Sequence, residues 1–266
     1  MGELALTGLS TINVELTSRC NKNCGMCGRR KIERDFPKLA DWGDMDFDLV
    51  KEIASQVPPH VVVQFHNNGE GLLYPRFGEA VELFKDQYRC ITTNGELIVE
   101  KAGEIVGILD SMAISIIPND PRVGAQYNNI LKFIELKCSH SPLLIYRCLG
   151  KVNFKMYEKL PGIMVKRILH NPKGSYDYEK EVTKPEIGVC LDLLHHLSID
   201  RHGNVSPCVR FDPYGKLVLG NLYEKSLAEL WNGKKRKRLL NLHWAGNRNQ
   251  HPFCATCRYW GVPRGN

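Results

Sequence analysis

The chain has 266 residues, 43% of them hydrophobic and 24% charged, with a formal net charge of +7, a balance that fits one large core with a small appendage and excludes disordered and fibrous classes. No run approaches the roughly 20 uncharged apolar residues of a membrane helix, and the opening "MGELALTGLS" lacks the basic and apolar regions of a signal peptide, so a cytoplasmic location with no membrane partner is expected. In that compartment ten cysteines point to metal ligation or redox chemistry rather than to a disulfide framework.

A first strand is predicted over residues 11–17. Directly after it, "TSRCNKNCGMCGRRK" sets Cys20, Cys24 and Cys27 at C-x3-C-x2-C. A helix over 47–56 leads to a second strand over 61–68, and a helix over 77–86 leads to a third over 89–93. A helix over 98–108 precedes strand four at 111–117, and one over 126–138 precedes strand five at 143–148. Strand six is placed at 164–170, after "KVNFKMYEKLPG", a less regular helix. This alternation is the signature of βαβ units and a parallel sheet. Six strands are too few for the eight-stranded closed barrel, so the expected fold class is α/β, a partial (β/α)6 barrel over residues 1–185.

From residue 186 the texture changes. "HHLSIDRHGNVSPCVRF" reads as a β-hairpin turning at residues 202–204, "GKLVLGNL" as a short extended run, and 223–231 as a helix before a cysteine-bearing tail. A small α+β module over 186–266 is expected. The basic run "GKKRKR" (residues 233–238) reads first as a solvated helix face, with nucleic acid as a weaker alternative partner.

Ligands of parallel sheets gather at the carboxyl ends of the strands, which is where the first cysteine loop lies. Three thiolates from one loop hold three irons of a [4Fe–4S] cube and leave the fourth iron open to a small molecule. A zinc site completed by a distant fourth ligand is the competing reading. "VELTSRCNKNCGMC" resembles the first strand and cluster loop of the radical S-adenosylmethionine (radical SAM) superfamily, and the resemblance extends over nearly the whole chain. It implies that the methionine headgroup of SAM chelates the open iron. An electron from the cluster would then cleave SAM, and the resulting 5′-deoxyadenosyl radical would abstract a substrate hydrogen.

The residue before the third cysteine is usually aromatic in that family and lies near the adenine; here it is Met26, whose polarisable thioether suits a π-face. "QFHNNGEGLL" ends strand two where the family usually carries Gly-Gly-Glu-Pro. Gly69 and Glu70 match the central pair, which implies close backbone approach to the SAM ammonium and a carboxylate to accept from it. Asn94, in "ITTNG" at the end of strand three, and Ser115, in strand four, match further SAM-contacting positions, although Asn-Gly is also a turn pair in its own right.

In the tail, Cys190, Cys208, Cys254 and Cys257 form a second set, and "GNVSPC…LGNLYEKSLAELWNG" resembles the SPASM and twitch modules of radical SAM enzymes. The resemblance implies one auxiliary [4Fe–4S] cluster ligated by all four, against a zinc ribbon as the alternative. A ligand-saturated cluster suits one-electron transfer, so the favoured reaction is two-electron oxidation of a small molecule such as an alcohol or amino sugar. A reducing donor such as flavodoxin or ferredoxin is implied.

Three residues are candidates for choosing the reaction. His66 shares a polar strand face with Val62, Gln64 and Asn68 and suits a base, Cys148 at the end of strand five suits a hydrogen-atom donor, and Lys173 in "HNPKGSY" suits a substrate contact. Glu15 alternates with Val14 toward the same cavity. Competing functions are radical epimerisation or crosslinking of a peptide, modification of a nucleoside or nucleic acid, and a non-enzymatic zinc-bound interaction module. Peptide-modifying relatives often carry an N-terminal precursor-binding domain, and the short stretch before residue 11 favours a small substrate instead.

Overall fold

Alternation of apolar and polar residues builds the sheet. In β1 (Thr11–Val14), Ile12 and Val14 are fully buried against the core while Thr11 and Asn13 take the other face. The computed structural model describes residues 5–117, 120–150, 152–167, 189–208, 215, 217–255 and 257. Beside β1 it places β2 (Val62–Gln64), β3 (Tyr88–Thr93), β4 (Ser111–Ile116), β5 (Leu143–Leu149) and β6 (Ile163–Arg167), all parallel and in chain order. On the opposite side of β1 lies β7 (His196–Ile199), also parallel, followed by the antiparallel strands β8 (Asn204–Ser206) and β9 (Gly220–Asn221). The result is one nine-stranded, mostly parallel sheet of mixed α/β class.

Helices α1 (Gly28–Asp35), α2 (Phe47–Gln56), α3 (Phe77–Glu82), α4 (Ala102–Ile105) and α5 (Val123–Lys137) alternate with the first strands. Val63, Phe65, Ile91, Ile114, Tyr146 and Cys148 share one buried cluster with helix residues such as Phe77, Val81, Ile105 and Phe133. Edge-to-face rings tighten it, with Phe65 at 5.4 Å from Phe84 and 6.4 Å from Phe77. The C-terminal part adds α6 (Leu191–His195), α7 (Leu227–Trp231), α8 (Lys234–Trp244) and α9 (Pro252–Ala255) around a smaller apolar cluster of Leu193, Leu217, Leu239, Leu240 and Phe253. Among the described residues no helix is long and apolar enough to cross a membrane.

Several boundaries differ from expectation for local reasons. The helix expected over 98–108 contracts to α4, ending just before Gly107, whose φ of +76° stops it. That expected over 223–231 begins only at Leu227, because Ser226 and Glu229 form a capping box. Residues 155–159 make turns rather than a helix, and α1 directly after the cysteine loop was not foreseen. Residues 168–170 of the sixth expected strand, and the expected 185/186 domain boundary, lie outside the described residues. The C-terminal part does not stand apart, since β7 continues the same ladder through β1.

The basic run is also not uniformly solvated. Lys234, Lys235, Lys237 and Arg238 are exposed, but Arg236 is buried. Its guanidinium stacks 3.2 Å from the Trp231 ring and donates to the carbonyls of Trp231, Leu193 and Leu194, and burial lowers its pKa to about 10.

Candidate cluster and cofactor site

The chain leaving β1 is fixed before it reaches the cysteines. Ser18 N–H donates to the Gly43 carbonyl at 2.9 Å, and Arg19 grips Asp44 through two bonds of 2.8 and 2.9 Å. The Lys22 amide donates to Cys20 Sγ at 3.5 Å, and Cys27 stands at the N-cap of α1, where the Arg29 amide works to lower its thiol pKa. Burial pushes the Cys24 thiol up, and the charges of Cys27 and Cys20 push it further. Burial likewise raises Cys27, against the Arg29 amide and with Cys20 adding to it. A cationic centre bound to these sulfurs would reverse that penalty by binding them as thiolates. Among the described residues no three Cys, His, Asp or Glu side chains are gathered into a preformed metal site. An all-sulfur set on one loop, opened by amide donors and a helix N-terminus, fits an anionic iron–sulfur cluster.

A buried polar network ties this loop to the ends of β3 and β4. Lys22, its side chain only 3% exposed, pairs with Asp120 at 2.6 Å and Glu96 at 3.4 Å. Burial works to raise the Asp120 pKa, but the bonds from Lys22 and the Arg122 amide leave it lowered. Asn94 donates to Asn21 Oδ1 at 2.7 Å, and Asn21 donates to Glu96 at 3.0 Å.

Gly69 and Glu70 press against the same segment. A Cβ on Gly69 would stand 2.1 Å from the Thr17 carbonyl oxygen and 2.8 Å from that of Arg19. Only glycine admits that approach. Glu70 N–H donates to the Arg19 carbonyl at 2.8 Å, while its carboxylate accepts from Thr93 Oγ1 and the Asn94 amide, both at 2.7 Å. Burial pushes the Glu70 carboxyl up against these bonds. Both residues thus brace the cysteine loop from the ends of β2 and β3.

On the sheet face away from the core cluster, polar residues line up. Asn13 stands in register with Gln64 and with Ser198, and Gln64 with Cys90. Ser115 pairs with Arg147, whose Nη1 donates to Thr92 Oγ1 at 2.8 Å. Arg147 escaped the sequence reading, although alternation with Tyr146 and Cys148 was the signal that would have found it. Cys148 points the opposite way, 1% exposed in the hydrophobic core, which separates it from this polar face. His66 lies on the polar face with Nδ1 buried and unpartnered among the described residues; burial, then the charge of Arg147, lowers its pKa to about 3. Such a ring is neutral and a weak base. Met26 is half-buried in the cysteine loop, and Lys173 lies outside the described residues.

Glu15 stands where a cleft of about 400 Å³ opens, lined also by Ser18, Trp42, Asn68, Asp200 and Cys208. Its oxygens accept from the Asn68 amide at 3.0 Å and the Arg201 amide at 3.3 Å. Burial, then the charge of Asp200, raises its pKa to about 7. Asp200 was missed because only the pairing of β7 with β1 brings it near.

The second cysteine set is carried by the N-cap of α6, the segment after β8, and α9 with the residues that follow it. Cys190, Cys208 and Cys254 all pack against the smaller apolar cluster, and the Cys190 thiol, raised chiefly by burial, also feels Cys257. Arg248 donates to the carbonyls of both Cys254 and Cys257. Three sulfurs on one apolar wall, with Cys257 near Cys190, make an all-sulfur donor set whose chemistry fits a closed cluster.

Residues 190–258 match the family model of the SPASM iron–sulfur cluster-binding domain. This stretch is similar to that domain. Over its whole length the chain resembles radical SAM enzymes that carry one. The S-adenosyl-L-methionine-dependent 2-deoxy-scyllo-inosamine dehydrogenase of Niallia circulans is 23% identical, with 93% of this chain and 92% of that protein covered. The tungsten-containing aldehyde ferredoxin oxidoreductase cofactor-modifying protein of Pyrococcus furiosus is also 23% identical, over 92% of this chain and 86% of its own. BtrN, solved in complex with AdoMet and 2-DOIA, shares the fold with a TM-score of 0.60 at 22% identity, covering 100% of this chain and 98% of that one. Streptococcus suis SuiB bound to precursor peptide SuiA superposes with a TM-score of 0.62 at 14% identity, over 91% of this chain and 67% of its own. The match to the SPASM model begins at Cys190.

Proposed function

We propose that this chain is a radical SAM enzyme that oxidises a small polar molecule by two electrons. Cys20, Cys24 and Cys27 hold the SAM-binding [4Fe–4S] cluster, and Cys190, Cys208, Cys254 and Cys257 hold an auxiliary [4Fe–4S] cluster that accepts an electron. The observation that carries this reading is the polar cleft running from Glu15, beside the first cysteine loop, to Cys208 of the second set. When bound, the first cluster supplies the electron that cleaves SAM to a 5′-deoxyadenosyl radical, and the radical takes a hydrogen atom from substrate.

The chain's own residues position and deprotonate. Glu15, with a pKa of about 7, changes protonation near neutral pH and receives the alcohol proton. His66 is a neutral substrate contact rather than the base. Met26 and Ser115 face SAM, while Gly69, Glu70 and Asn94 hold the loop that presents it. The six parallel strands curve as the partial barrel of the radical SAM family. The dehydrogenase relative acts, by its name, on an amino-cyclitol, which suits a small cleft rich in amides and hydroxyls. A peptide substrate is the second reading, supported by the likeness to SuiB. A flavodoxin- or ferredoxin-type donor supplies the reducing electron. The cytoplasm suits a chain with no disulfide among its described residues.

Anaerobic reconstitution tests this. The protein should bind about eight iron atoms and, with reductant and SAM, release 5′-deoxyadenosine. Joint replacement of Cys20, Cys24 and Cys27 by Ala should remove about half of the iron and all of that product. Wild-type protein that takes zinc and no iron would end the reading. Amino-cyclitols and amino sugars deuterated at each carbinol carbon should then reveal the substrate by deuterium transfer to 5′-deoxyadenosine.

A further inference from the structure

His243, on the α8 face that backs the SPASM cysteines, is 3% exposed. The Cys190 N–H donates to its Nδ1 at 3.3 Å. An accepting Nδ1 carries a lone pair, so the ring proton sits on Nε2. That Nε2 is buried and has no hydrogen-bond partner among the described residues. A buried N–H without an acceptor is a costly arrangement that native structures rarely keep.

The surroundings narrow the missing acceptor. Charge from Arg248 and His251 reaches the ring, and neither is an anion. Arg248 is itself a donor, its Nη1 bonding the carbonyls of Cys254 and Cys257. The neighbours of His243 along α8, Leu239 and Leu240, belong to the apolar wall on which Cys190, Cys208 and Cys254 pack. The thiols of Cys190, Cys208 and Cys254 are sulfur groups packed on that wall beside the ring.

We infer that His243 Nε2–H donates a hydrogen bond to a sulfur of the auxiliary cluster, a bridging sulfide or a cysteine thiolate, and makes that cluster easier to reduce. The inference rests on the auxiliary-cluster reading above. A donor at sulfur stabilises the extra negative charge of the reduced cluster, which raises the potential. One electron enters, and no proton leaves the ring. His243 is thus a positioning and tuning residue.

The test uses the full chain with Cys20, Cys24 and Cys27 replaced by Ala, so that the auxiliary cluster alone is observed. At the midpoint potential of that protein, adding His243→Leu should raise the oxidised-to-reduced ratio about tenfold, a fall of about 59 mV for a one-electron couple. His243→Gln, which keeps an N–H donor, should recover most of the shift. Independently, ring-15N-labelled histidine should give a 15N coupling in pulsed EPR of the reduced cluster, absent from His243→Gln. A ratio changed less than twofold by His243→Leu, or no 15N coupling, overturns the inference. If His243→Leu fails to hold iron, the 15N coupling decides alone. Zinc rather than iron at the C-terminal cysteines would overturn both this inference and the proposed function, and is told apart by metal analysis.

Discussion

Replacing Glu15 by Gln should erase a titration centred near pH 7. In the unfolded chain this carboxyl ionises near 4.5, whereas burial and Asp200 raise it to about 7 in the fold. The folded state therefore holds the proton more tightly. Below pH 4.5 the site costs nothing relative to the unfolded chain. As pH rises from 4.5 to 7 the fold loses stability, and above 7 the loss levels off at about 3 kcal/mol. Gln does not titrate, so the stability of wild type minus that of Glu15→Gln should fall by that amount across the window. Gln also turns an N–H₂ toward one of the two amides now bonded by Glu15, a pH-independent loss of about 1–3 kcal/mol. The slope with pH, not the offset, is the diagnostic. Urea unfolding of the anaerobic holoprotein between pH 4.5 and 8 measures it, and a carboxylic-acid infrared band lost in the variant should titrate near 7. Parallel stability curves for the two proteins would refute the reasoning.

Gly69→Ala drives a methyl onto two backbone oxygens that have nowhere to go. It should destabilise by about 1–3 kcal/mol and cut reconstituted iron from about eight to about four atoms, with the auxiliary EPR signal kept; full iron loading would contradict the clamp. Lys22→Met leaves Asp120 buried without its cation. It should cost about 3–5 kcal/mol, seen as a lowered Tm that Asp120→Asn in the same chain partly restores. An unchanged Tm would mean that the network does not hold the loop.

Local chemistry was readable wherever a residue's role depends on its neighbours in sequence. Helix α2 lies where residues 47–56 predicted, because Asp46 caps it and Leu49, Val50 and Ile53 fall on one face. The strands were found through two-residue alternation, as at Val63 and Phe65 against Gln64 and His66. Cysteine spacing picked out both candidate cysteine sets. Long-range pairing remained hidden. Nothing near Glu15 in sequence announces Asp200, which lies just beyond β7, 185 residues further along the chain. The tight fit of Gly69 and Glu70 against Thr17 and Arg19 is a further geometry, visible only when β1 and β2 are laid side by side.

The lateral pairing of β7 with β1 makes the iron-bearing tail structurally inseparable from the body of the enzyme. A shortened chain ending before residue 190 would bare a row of unpaired backbone groups on the very strand that feeds the first cysteine loop, and would strip Glu15 of the Arg201 amide. Grafting such tails between relatives would therefore have to carry the seam strand along with the cysteines, and a chain cut at this seam should clump rather than work at half capacity.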